Sequence, residues 1–131
     1  MNTLLKKLKF NQFEIFPELF HAISPRCFKN DRDEIEDFCF LGNDDFGKTK
    51  DHLRVFLESV GITNSSLFFV NQVHGDKIFI LNDADLTFSE TMRISADALL
   101  THIPGKPIGV FTADCLPILI YDPRLKVIGP I

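Results

Sequence analysis

The sequence has no tryptophan and a single tyrosine, against fourteen phenylalanines. Its aromatic content therefore fits a core assembled from Phe. Cysteine is scarce: Cys27, Cys39 and Cys115 are an odd number at unpatterned spacing. That excludes a disulfide framework as the organising device and agrees with a reducing compartment. Positive charge is not in excess, with a net charge of −4 and a pI near 5.5. Nucleic-acid backbones normally demand a basic face, so no nucleic-acid partner is expected. No apolar run approaches the roughly 20 residues that span a bilayer, so no membrane partner is expected either. The opening MNTLLKKLKF lacks a long apolar stretch followed by a small-residue cleavage site. It reads as the start of a mature cytoplasmic chain. There is no glycine-rich phosphate loop, no HExxH and no serine nucleophile elbow.

What is present is an ordinary globular balance, 45% apolar and 24% charged, over 131 residues. That length suits one domain, residues 1–131, with a genuine core. No repeat, low-complexity tract or linker divides it. The organising stretch is Gly109 to Asp122, GVFTADCLPILIYD. Two apolar runs, Ile108–Phe111 and Pro117–Tyr121, flank a polar break that holds Asp114 and Cys115. Such runs, rich in β-branched and aromatic residues and bounded by Gly and Pro, predict strands buried on both faces. A carboxylate buried there costs several kcal/mol unless paired or bound to a cation, which marks the break as a candidate site. The alternative is an ordinary buried cysteine beside a turn aspartate.

Upstream, residues 4–16 alternate apolar and polar and predict a short strand or a helical turn. LFHAIS, residues 19–24, reads as a strand whose corner at Pro25 displays Arg26. Residues 27–38, acidic and polar, read as a solvated loop, and residues 38–42 as a short strand or edge. Leu53, Phe56, Leu57 and Val60 fall at helical spacing, with Thr49 or Asp51 as a cap and Gly61 as a stop. Residues 66–82 predict strand, interruption, strand, the interruption being Asn71-Gln72-Val73-His74-Gly75. Residues 83–93 read as a loop. SADALLTHIPGKP, residues 95–107, places an apolar segment after Asp97 and then a Pro-Gly turn.

Two of these interruptions carry donors that suit Zn²⁺: the His74 imidazole and the Cys115 thiol. The same pair could instead serve as a cysteine nucleophile and its base. In either case Asp97 or Asp114 would orient the imidazole or support a metal ligand. Arg26 is shaped to grip phosphate or carboxylate, or else pairs with the acidic loop that follows it.

Taken in order, HAISPR, a helix, NQVHG, SADALLT and GVFTADCLPILIYDP resemble the YfiH/YlmD family, from about His21 to Pro123. Members were labelled laccase-domain or polyphenol oxidase proteins and are now regarded as zinc-dependent purine nucleoside enzymes. The resemblance implies a mixed α/β fold layered α/β/α. It implies phosphorolysis of adenosine, inosine, guanosine and methylthioadenosine, and deamination of adenosine, with purine nucleoside and phosphate as partners. Carried over by motif, His74 and Cys115 would be zinc ligands and, with Asp114, the catalytic set. Gln72 and Arg26 would contact substrate.

Two departures stand out. After the arginine the family usually runs Gly-Gly-x-Ser, where this chain has Cys27-Phe28-Lys29-Asn30. The family's third zinc ligand belongs to a HAGWRG motif past the final strand, whereas this sequence reads LKVIGPI to Ile131. The expectation is an N-terminal portion of such an enzyme, impaired alone. Its terminal strand would be an unpaired apolar edge open to self-association. A non-catalytic binding module of the same fold is the rival reading. Copper-dependent oxidation, the older label, fits less well, because one His and one Cys do not make a His₂Cys set.

Overall fold

The computed structural model describes residues 8–29, 32–37, 46–62, 67–83 and 85–131. The fold is mixed α/β, and the chain forms two compact units, Met1–Thr63 and Asn64–Ile131.

In the first unit, Leu8 and Ile23 pair through an isolated antiparallel bridge, with a 3₁₀ turn over Asn11–Phe13 between them. The strand expected over residues 19–24 is thus reduced to one bridge. The His21 ring is committed here: its Nε2 accepts the Phe10 N–H at 2.8 Å, and it packs edge-on against Phe13. The acidic segment expected to be a loop instead makes an antiparallel hairpin, β1 (Cys27–Lys29) with β2 (Ile35–Asp37). Asp33 turns it with a φ of 61°, and the Lys29 ammonium meets the Asp33 carboxylate at 2.7 Å. Local turn chemistry here overrides the polar composition. Residues 38–42, including Cys39, lie outside the described residues.

Helix α1 runs Phe46–Ser59. It starts ahead of both expected caps, so Thr49 and Asp51 sit inside it. Its stop is as read: Gly61 adopts φ 83°, and Ile62 N–H reaches back to Leu57 O at 2.9 Å while Gly61 N–H bonds Glu58 O at 3.1 Å. This Schellman closure satisfies two terminal carbonyls. Leu53, Phe56, Leu57 and Val60 form the buried stripe, and Ile62 packs onto it.

The second unit is built on a four-stranded mixed sheet, β3 (Ile78–Leu81), β4 (Ala98–Thr101), β5 (Leu119–Asp122) and β6 (Val127–Pro130). The spatial order is β3-β4-β6-β5, with β3 and β4 parallel and the rest antiparallel. The terminal strand β6 is therefore interior, paired on both sides, and is not the unpaired edge that the sequence suggested. One face of the sheet carries Leu99, Leu81 and Thr101, all buried to 1% exposure or less. Phe68, Val70 and Ala96 complete that core. The Thr101 hydroxyl donates to Leu81 O at 2.7 Å, which makes its burial tolerable.

The register puts Ile78, Ile80, Leu100, Ile118 and Ile120 together on the opposite face. There Ile78 is 60% exposed, Ile80 55% and Ile120 47%. The expectation that Pro117–Tyr121 is buried on both faces is corrected: β5 is an edge strand with one open side. Ile108, from the other organising run, makes only an isolated parallel bridge, to Phe68. An apolar run signals a strand but does not say how many layers cover it. The segment read as a loop also contains a short helix, α2 (Phe88–Thr91), held by a reciprocal Thr87–Glu90 capping box.

Candidate functional site

Backbone hydrogen bonds hold the NQVHG stretch and the residues around it on two sides. Asn71 N–H bonds Ile94 O at 2.8 Å, Ala96 N–H bonds Asn71 O at 3.1 Å and Asp97 N–H bonds Lys77 O at 2.9 Å. On the other side, Phe68 N–H bonds Pro107 O and Gly109 N–H bonds Phe68 O, both at 2.9 Å. Gln72 then extends that ladder with its side chain. Its Nε2 donates to Phe111 O at 3.1 Å, and Phe111 N–H donates to its Oε1 at 2.8 Å. The carboxamide stands in for a strand residue. Beneath it the rings of Phe69 and Phe111 stack at 4.1 Å. Gly109 is required where Phe69 crosses it, since a Cβ there would stand 2.8 Å from the ring.

This is how two motifs far apart in sequence become neighbours. Phe111 lies three residues before Asp114 and four before Cys115, and Gln72 lies two before His74. Residues 112–116 are exposed and bend at 113–115, so Asp114 carries no burial penalty, contrary to the expectation of a buried acid. Cys115 is a free, exposed thiol.

His74 has a φ of 59°, a left-handed conformation that costs a non-glycine residue about 1–2 kcal/mol. Asp97 supports it. One carboxylate oxygen accepts the N–H groups of Val73 at 3.0 Å and His74 at 2.8 Å, and the other accepts Gly75 N–H at 2.7 Å. Successive amides around a left-handed residue form an anion cradle, filled here by the chain's own carboxylate. The Gly75 N–H, then those of His74 and Val73, hold the Asp97 pKa below the ordinary carboxylate value against a smaller opposing effect of burial. Asp97 thus acts on the backbone of the loop through three bonds, and the charge of His74 is a further, smaller influence that lowers its pKa. No motif spacing announces this, because 23 residues separate it from His74.

Arg26 is exposed at the bend leading into β1 and belongs to the first unit. The donor chemistry at His74 and Cys115 suits zinc in kind, an imidazole and a free thiol. It does not close in number: among the described residues no three His, Cys, Asp or Glu side chains are grouped to hold a metal ion, whereas catalytic zinc takes three protein ligands.

Residues 21–131 match the family described as multi-copper polyphenol oxidoreductase laccase, and the chain belongs to that family. Its relatives carry other names. It is 36% identical over 91 residues to a purine nucleoside phosphorylase of Clostridium acetobutylicum, covering 69% of this chain and 32% of that protein. It is 32% identical over 66 residues to one of Mycobacterium tuberculosis, covering 50% and 25%. An adenosine deaminase of an unknown prokaryotic organism is 26% identical over 95 residues, covering 70% and 36%. In each case the match spans about a third of the relative's length or less.

Proposed function

We propose that this chain supplies the His74 and Cys115 loops of a purine nucleoside phosphorylase site that also deaminates adenosine. The observation that supports the reading is the Gln72–Phe111 pairing, which ties the segment bearing His74 to the segment bearing Cys115. His74 and Cys115 would be two of the three protein ligands of a zinc ion. What the ion would supply is Lewis acidity toward a phosphate oxygen or a bound water. In phosphorolysis a phosphate oxygen bonds to the ribose C1′ as the bond to the base nitrogen breaks, and the base leaves with the electron pair and gains a proton. In deamination water adds at the purine C6 and ammonia departs. The residues of this chain would hold donors and orient substrate: Asp114 beside the thiol and Gln72 beneath the loops.

The test is phosphate-dependent release of hypoxanthine from inosine, with zinc present, by this chain and by a form carrying a HAGWRG-like segment after Ile131. The expected result is turnover by the longer form, lost in His74→Ala and in Cys115→Ser, and little by the chain alone. Comparable turnover by the two forms would overturn the ligand assignment.

The open apolar face of the second unit also supports a proposal of self-association. The surface involved would be the edge strand β5 and the Ile78–Ile80–Ile118–Ile120 face, not the terminal strand.

A further inference from the structure

We infer that Asp97 is the positioning residue for His74: its carboxylate fixes the loop backbone and so determines whether the imidazole can act as a metal donor. The inference rests on the reading of His74 as a donor. Val73 through Lys77 are all exposed, so the loop has no buried side chain of its own to anchor it. His74 nevertheless holds a left-handed φ of 59°. The three amides of Val73, His74 and Gly75 all end on one carboxylate. Asp97 is itself tied down, by its N–H to Lys77 O at 2.9 Å and by its place directly before β4. A side chain fixed at the sheet thereby sets the conformation of a loop that packing leaves undetermined. Residues that support a ligand without touching the metal typically change affinity by about 10–100-fold.

The experiment uses the isotope-labelled full chain, with amide hydrogen exchange as one readout and Zn²⁺ alone, followed at the His74 ring resonances, as the other. Asp97→Ala should strip exchange protection from Val73, His74 and Gly75, leave β3 and β4 protected, and weaken Zn²⁺ binding about 10–100-fold. Asp97→Asn should rescue part of this. Its amide oxygen can still accept from Val73 and His74, while its NH₂ cannot accept from Gly75. That residue-by-residue split is not expected of a general stabiliser, and Asp97→Asn decides the matter if Asp97→Ala loses the strand protection. Unchanged Zn²⁺ affinity in both Asp97 variants, with affinity lost in His74→Ala, overturns this inference alone. A wild-type His74 that does not respond to Zn²⁺, or an affinity unaffected by His74→Ala, removes the donor reading and this inference with it.

Discussion

The carboxamide of Gln72 and the backbone of Phe111 form a closed two-bond pair, 3.1 Å in one direction and 2.8 Å in the other. A side chain replaces a strand residue at the point where regular pairing ends, and the candidate loops hang from either side of it.

Removing that pair has a direct consequence. Gln72→Ala should destabilise the chain by about 1–3 kcal/mol, because both Phe111 backbone groups lose a partly buried bond. Gln72→Glu should lose only the bond to Phe111 O, since a carboxylate cannot donate. Denaturant unfolding measures both, and equal stability of wild type and Gln72→Ala would show that the pair is dispensable.

Gly109 offers a test of the packing beneath. In Gly109→Ala the new methyl meets the Phe69 ring at 2.8 Å, and that ring is held by its stack on Phe111. A loss of about 1–3 kcal/mol is expected for such overpacking. The thermal midpoint should fall, and the aromatic proton shifts of Phe69 and Phe111 should move together.

The cysteines should behave unequally. Cys27 is exposed on the hairpin strand β1, and Cys39 belongs to no motif. Serine at either position should leave Zn²⁺ uptake unchanged, whereas Cys115→Ser should reduce it sharply, because it removes the proposed ligand. Zinc content of the three purified variants decides this, and equal loss in all three would contradict the assignment.

Acid should open α2. The Thr87 side chain, then the Thr87 backbone N–H, lowers the Glu90 pKa. A carboxylate with a depressed folded pKa contributes stability that is present above its unfolded value and lost as pH falls through the folded one. The amides of Thr87 and Glu90 should therefore shift and lose protection together at acidic pH. Glu90→Gln should abolish that transition, which an NMR titration would detect.

Association should follow the open face. Sedimentation of the wild type should show concentration-dependent species that Ile120→Lys reduces, since a charge on an exposed edge opposes pairing. A monomeric wild type at all concentrations would rule the interface out.

The sequence by itself determined the periodic elements and the family. The stripe Leu53, Phe56, Leu57, Val60 and its Gly61 stop follow from helical spacing and from a glycine able to take φ 83°. The motifs around His74 and Cys115 identified the kin because they are local strings. Even two missed elements had local signals, the Thr87–Glu90 box and the turn at Asp33. Only the tertiary structure decided that β6 is interior, that β5 is an edge with exposed isoleucines, and that Asp114 is not buried. Those properties depend on which strands pair and what covers them, and a run of apolar residues reads the same in each case. The two interactions that shape the candidate site are of the same kind. Gln72 meets Phe111 across 39 residues, and Asp97 meets the amides of Val73, His74 and Gly75 across 22 to 24. Backbone amides and carbonyls are common to every residue, so no side-chain pattern can announce which of them a distant carboxylate or carboxamide will find.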